Sequence, residues 1–258
     1  MAAGFFVIGP LRPGESTNLG QTESEQSMQF TPEGPMAIPL WINGHAFLTA
    51  ADRFFDVVDP ARGEAIRRVP LCGAAEAAEA VAAAAAAAPA WAALAPAERR
   101  ERLAALADAL EGYAEHFAKL LGQETGRVPA DGLGDVQAAV AALRSPGAGA
   151  AELLVAVADD GRPLAALAEL AAPVLAAGGT VVLKPSPRAP GAAYALCELT
   201  ARTGWPGGVV NLVQGDEEAI DGLCAQATVS RLAFAGGAAL AERIAAVAAR
   251  HGKAFSAA

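Results

Sequence analysis

The spacing of apolar positions along the chain changes several times, and each change marks a predicted element. Residues 1 to 37, with the run GESTNLGQTESEQS, have no apolar period that could bury a face, and they read as a disordered tail. From Pro39 the pattern becomes short and alternating. PLWINGHAF sets an Asn-Gly pair between apolar residues, and FFDVVDPARGEAIRRVPL alternates around Asp59-Pro60 and Gly63, so both segments read as hairpins of short strands. Three helical stretches follow. Ala74 to Ala88 is almost pure alanine, with Glu76 and Glu79 in its early turns where carboxylates complement the helix dipole. Pro96 opens the second, which carries Leu103, Leu106, Leu110, Phe117 and Leu121 on one stripe. Asp135, Val136, Val140 and Leu143 outline the third, ended by Ser145-Pro146-Gly147.

The second half is more regular. Leu153 to Val157, Thr180 to Leu183, Val209 to Val213 and Val229 to Phe234 are short apolar or β-branched runs. Each precedes a helical segment, starting near Arg162, Pro190, Glu217 and Ala238. Parallel neighbours need crossover helices, so this order predicts an α/β fold, a doubly wound parallel sheet covered on both faces and preceded by helices. One nucleotide-type domain is expected over residues 38 to 258, with its sites at the carboxyl ends of the strands.

Composition narrows the classes of function. With 53% apolar residues in 258 and a mean hydropathy of +0.31, the chain can bury a substantial core, which excludes disorder throughout. The apolar run in Val81 to Ala88 is too short to cross a bilayer and is followed by Pro89. The N-terminal MAAGFFVIGP lacks the basic region of a signal peptide, so a cytoplasmic location and no membrane partner are expected. Nineteen basic against 28 acidic residues give a net charge of -9, which repels phosphate backbones and argues against nucleic acid. Cys72, Cys197 and Cys224 lack CxxC spacing, and His45, His116 and His251 lie far apart, so neither a disulfide framework nor a metal site is predicted. Lysine is scarce: Lys119, Lys184 and Lys253 complete the list.

Lys184 stands at the carboxyl end of a buried strand in GGTVVLKPSPRAP, and Pro185 stops that strand from continuing. The next strand arrives through Gly204-Trp205-Pro206-Gly207-Gly208. The following one ends in Ala235-Gly236-Gly237, where a new helix offers free N–H groups to an anion. Together with WINGHAF, VDPARGEAI and AAPAWAALAPAERRERLAALADALE, these segments resemble the aldehyde dehydrogenase superfamily over about residues 39 to 250, in the family's order.

The resemblance implies a Rossmann-like domain of the aldehyde dehydrogenase NAD-binding type, in a family that oxidises aldehydes through a cysteine thiohemiacetal. It also implies a cofactor site for NAD or NADP at Lys184, Pro185, Ser186, Gly236 and Gly237. That chemistry needs a thiolate, oxyanion donors, a water-activating carboxylate and a bound nicotinamide. The family's nucleophile lies in a domain that would begin about where this chain ends, at Ala258, so that domain and any catalytic residue are expected to be missing. The segment HGKAFSAA holds no water-activating Glu. The family's oxyanion Asn, in a Pro-Trp-Asn-Phe-Pro loop, falls at Gly161 of Asp159-Asp160-Gly161-Arg162-Pro163. A ribose-binding Glu falls at Pro187, a phosphate-side Ser at Gly237, and a closing Gly at Ala241. Between Leu143 and Leu153 the chain lacks the family's segment that reaches a neighbouring subunit.

The expectation is a catalytically incomplete, oxidoreductase-like protein with weak or absent NAD or NADP binding, serving as a structural or regulatory partner of a full-length aldehyde dehydrogenase or associating with itself. The alternatives are an NAD(P)-dependent subunit completed in trans by another chain, and a decayed gene fragment.

Overall fold

In the computed structural model, residues 35–258 are described, and the expected tail falls outside them except for its last three residues. Two hairpins come first. Strands β1 (Leu40–Ile42) and β2 (His45–Phe47) turn through Asn43 and Gly44 at φ 55° and 79°, the left-handed pair that a two-residue hairpin turn requires. Strands β3 (Phe54–Asp59) and β4 (Glu64–Pro70) form a separate two-stranded sheet with a register shift between Val57 and Val58. Met36 to Ile38 runs beside this pair, its backbone bonded to Arg68.

Helices α1 (Ala74–Ala93), α2 (Pro96–Gly112), α3 (Ala114–Thr125) and α4 (Pro129–Arg144) follow. Two differ from the pattern-based expectation. Helix α1 passes through Pro89 rather than stopping at Ala88. Pro89 is exposed, and two residues on Trp91 is fully buried with its Nε1 donating to the Leu175 carbonyl at 3.0 Å, so tertiary anchoring outweighs the lost helical bond. The stripe expected as one helix from Pro96 is broken at Tyr113, which has non-helical φ -110° and ψ 18°. Leu103, Leu106 and Leu110 stay buried before the break, and Phe117 and Leu121 after it. The break lets α3 pack on α4 and α6 (Gly191–Arg202).

Strands β5 (Leu153–Ala158), β6 (Thr180–Lys184), β7 (Val210–Leu212), β8 (Arg231–Ala235) and β9 (Ala254–Ala257) are parallel, and β1 joins β7 antiparallel. The order across the sheet is β2-β1-β7-β6-β5-β8-β9. Two of these features go beyond the expected sheet: the hairpin added at one edge, and β9, whose short Ala254–Ala257 run carries little apolar signal. Both faces are buried, as parallel strands require. Leu154 and Ala156 of β5 pack into one core with α2, α4, α5 (Ala165–Ala177) and α6. Leu153, Val155 and Val157 pack into another with α1, α7 (Glu217–Cys224) and α8 (Ala238–Arg250).

Each crossover helix begins at the same edge of the sheet, and each N-terminus is met by a carboxylate. Asp135 accepts from the amides of Leu164 and Ala165 at α5, at 3.1 and 3.3 Å. Both Glu124 oxygens accept from the Gly191 amide of α6 at 3.0 Å. Asp216 accepts from Glu218 in α7 at 3.0 Å, and Asp159 from Gly237 at the start of α8 at 2.8 Å. These pairs satisfy amides that a helix start leaves unbonded, and those that are ionised also place negative charge at the positive end of the dipole.

Burial pushes the Glu124 carboxyl up to about 7, against the opposing pull of the Gly191 amide and the Arg67 guanidinium 3.5 Å away. The folded chain therefore holds a proton there that the unfolded chain releases, at its ordinary value of 4.5. Glu124 accordingly contributes stability that is greatest in acid and is lost as pH rises through about 7, with a slope of at most about 1.4 kcal/mol per pH unit. We expect Glu124→Gln to flatten this dependence. Melting temperatures of both proteins followed between about pH 5 and pH 7.5 would check it, and a constant difference between them would assign the titration elsewhere.

Candidate functional site

The strand order fixes where a ligand crevice can open. From β5 the chain steps to β6 and β7, then crosses back past β5 to β8 and β9. Helices on either side of the β5–β8 boundary diverge at the carboxyl edge, the switch point where open α/β sheets bind ligands. Strand β5 delivers Asp159 to that boundary and β8 delivers Gly236 and Gly237.

Asp159 bridges the crevice. One carboxylate oxygen accepts from the Gly161 amide at 2.7 Å, closing an Asx-type turn, and the other takes the Gly237 amide across the gap. Gly236 sits at φ 154°, and a Cβ there would lie 2.3 Å from Oδ2 of Asp159 and 2.6 Å from the Phe234 ring, so only glycine fits beside this carboxylate. Asp159 also divides the space at the sheet edge. A cavity of about 390 Å³ lies on one side with Gly161, Arg162, Glu169, Gly236 and Gly237, and one of about 300 Å³ on the other with Lys184, Ser186 and Asp216. Asp159 is the residue that lines both.

Lys184, the last residue of β6, is 3% exposed, and its Nζ donates to the Pro185 carbonyl at 3.0 Å. Burial lowers its pKa to about 8, with the Asp216 carboxylate and then Cys72 opposing the shift. Ser186 is spent locally, its Oγ accepting from the Arg188 amide at 3.3 Å. The five expected site residues thus share one edge of the sheet, but they fall into two groups: Lys184, Pro185 and Ser186 at the end of β6, and Gly236 and Gly237 beyond β8.

The Gly237 amide is not free for a pyrophosphate as it stands, because an internal carboxylate already holds it where a second anion would have to approach. Sequence reading missed this role of Asp159. Its local signal was present, since Asp-x-Gly directly after a buried strand favours an Asx turn, but the bond to Gly237 spans 78 residues.

The cysteine thiols are all buried. Cys72 precedes α1, Cys197 lies in α6 and Cys224 in α7, and all three are free and buried. Burial pushes Cys72 up to about 12 and Cys224 to about 11, and Cys197 higher still. Gly161 presents no side-chain amide toward the crevice. Among the described residues no His, Cys, Asp and Glu cluster suited to a metal ion occurs.

A profile of the aldehyde dehydrogenase family matches residues 47–157 and 162–258. Malonate-semialdehyde dehydrogenase of Pseudomonas aeruginosa is 32% identical over 225 residues, which cover 78% of this chain and 45% of that protein. The NADP(+)-dependent succinate-semialdehyde dehydrogenase of Escherichia coli is 30% identical, over 76% of this chain and 45% of its own length. Among solved structures, lactaldehyde dehydrogenase from E. coli superposes with a TM-score of 0.81 at 26% identity, covering 87% of this chain and 52% of that one. A methylmalonate-semialdehyde dehydrogenase homologue from Sinorhizobium meliloti, solved with NAD, gives 0.82 at 25% identity, over 87% and 50%. The chain spans about half the length of the relatives it matches.

A thiol reagent at mildly alkaline pH should leave the folded protein unlabelled and react with all three cysteines once denaturant is added, since buried thiols stay protonated and inaccessible. Rapid modification of Cys72 in the native state would show that the edge of the sheet opens far enough to admit a reagent.

Proposed function

Since the chain belongs to the aldehyde dehydrogenase family, we propose that it is a catalytically incomplete member that acts as a structural or regulatory partner of an active aldehyde dehydrogenase. The observation that carries this reading is the Asp159 carboxylate on the Gly237 amide, at the crevice opened by the switch in strand order. An anion bound from within competes with any dinucleotide, so NAD and NADP bind weakly or not at all. Gly161 supports the same reading. The resemblance places an oxyanion-holding Asn there, and loss of one such donor costs about a hundredfold or more in rate.

The fold itself is preserved: both faces of the sheet are packed, and all four crossover helices are capped. A surface can therefore be presented to a partner without chemistry at the site. Strand β2 supports association with another chain or a second copy, because its outer edge is unpaired among the described residues and unpaired edges accept strand addition. A second reading, an NAD(P)-dependent subunit completed in trans, draws on the placement of Lys184 beside a cavity that Asp159 leaves open.

Titration calorimetry with NAD and NADP separates the two. For the incomplete-partner reading we expect a dissociation constant no tighter than about 1 mM, and at least a tenfold gain in Asp159→Ala, where the Gly237 amide is freed. Neither protein should reduce NAD or NADP with aldehyde. Wild-type binding in the low micromolar range would overturn the reading and favour completion in trans. Light scattering on the chain mixed with an active family member checks the partner role, which fails if the two elute separately and the chain alone is a monomer.

A further inference from the structure

The cavity at the ends of β5, β6 and β7 combines a buried amine with an apolar wall. Val157, Ile220, Leu240 and Ile244 supply that wall, and on the polar side Lys184, Arg188 and Arg243 face the carboxylates of Asp159, Asp160, Asp216 and Glu217. Its volume of about 300 Å³ suits a small molecule. Lys184 is 97% buried by its 3% exposure, makes one hydrogen bond, to the Pro185 carbonyl, and forms no ion pair among the described residues. A buried ammonium without a counter-ion is costly, so burial enlarges the fraction of neutral amine available near neutral pH. The pKa of about 8 agrees with that geometry. Nothing in the family resemblance asks this lysine to react.

We propose that Lys184 is a nucleophilic amine that captures a small aliphatic aldehyde as an imine in this cavity. The neutral Nζ attacks the carbonyl carbon, and the C=O π pair moves to oxygen. A proton passes from nitrogen to that oxygen, giving the carbinolamine. Loss of water then forms the C=N bond, with nothing oxidised or reduced. Asp216 lines the same cavity and influences the amine electrostatically, so it is the carboxylate placed to carry the proton from nitrogen to the departing oxygen. The apolar wall favours a short hydrocarbon chain on the aldehyde. This capture does not depend on the partner role, but it uses the cavity that the NAD(P) reading also draws on, so a bound dinucleotide would compete with it.

The chain carries three lysines, which supply an internal comparison. Lys119 is exposed on α3, while Lys253 is held by the carbonyls of Gln226 and Val229 at 2.7 and 3.0 Å. The folded protein would be treated with butyraldehyde and cyanoborohydride near neutral pH, and the butyl mark located by peptide mass mapping. We expect Lys184 to be marked at least about tenfold faster than Lys119 or Lys253, despite its burial. Leu240→Trp fills the cavity and should remove the mark from Lys184 while leaving that on Lys119 unchanged. In denaturant the preference should vanish, which ties it to the folded cavity. Equal rates at Lys184 and Lys119 in the native protein, or undiminished marking of Lys184 in folded Leu240→Trp, would overturn the proposal.

Discussion

Four crossover helices start at one edge of a parallel sheet, and each points unpaired N–H groups and the positive end of its dipole at that edge. Parallel strands cannot avoid this, because every right-handed crossover returns the chain to the same side before the next strand. Something negative or hydrogen-bonding must meet those ends. In an enzyme that binds a phosphorylated cofactor the ligand can do so for one helix. Here the chain meets all four itself, through Asp135, Glu124, Asp216 and Asp159. An acidic chain has carboxylates to spare, and this placement gives the net charge of -9 a local structural use.

The four caps are not alike in consequence. Asp135 and Glu124 are buried and reach from α4 and α3, so they tie the helical layer to the sheet and serve packing first. Arg99 performs the complementary task at helix C-termini, donating to the carbonyls of Ala92, Leu94 and Ala176 and so joining the ends of α1 and α5. Asp216 caps its own helix and lies beside Lys184. Asp159 alone crosses the switch point, so it acts on both the fold and the space a ligand would use. The division of the sheet edge into two cavities follows from that single side chain.

Much of this architecture was legible in the sequence because it is local. Asn43-Gly44 between apolar residues could hardly be anything but a hairpin turn, and the alternation of short apolar runs with helical segments carried the doubly wound order. What escaped was set by tertiary contact. Pro89 should end a helix, yet the burial of Trp91 pulls the chain through it; Leu110 and Phe117 keep a helical spacing across a break that only packing against α4 and α6 requires. The site was legible by halves. Lys184 stood out as a rare lysine after a buried strand, and the Gly236-Gly237 pair as a helix start. The partners that decide their chemistry did not, because the caps by Asp135, Glu124 and Asp159 link residues 29, 67 and 78 positions apart.

The competition at the crevice favours the internal anion on simple grounds. Asp159 is delivered by the end of a fully buried strand, so it reaches Gly237 without the translational and rotational cost that a free ligand bears. To admit a phosphate it must also release the Gly161 amide, because the two oxygens of one carboxylate hold the two bonds together. The group is half-buried, so screening weakens each bond, and the pair is worth about 2 kcal/mol, equivalent to roughly a thirtyfold weaker dissociation constant for the newcomer. The family resemblance points the same way, since Gly237 and Pro187 stand where it implies Ser and Glu side chains. On the other side of Asp159 nothing of the kind applies, since Lys184 and Asp216 face a cavity with an apolar wall and no internal anion seated on the amine. The same residue that holds the Gly237 amide on one side thus also lines the Lys184 cavity on the other.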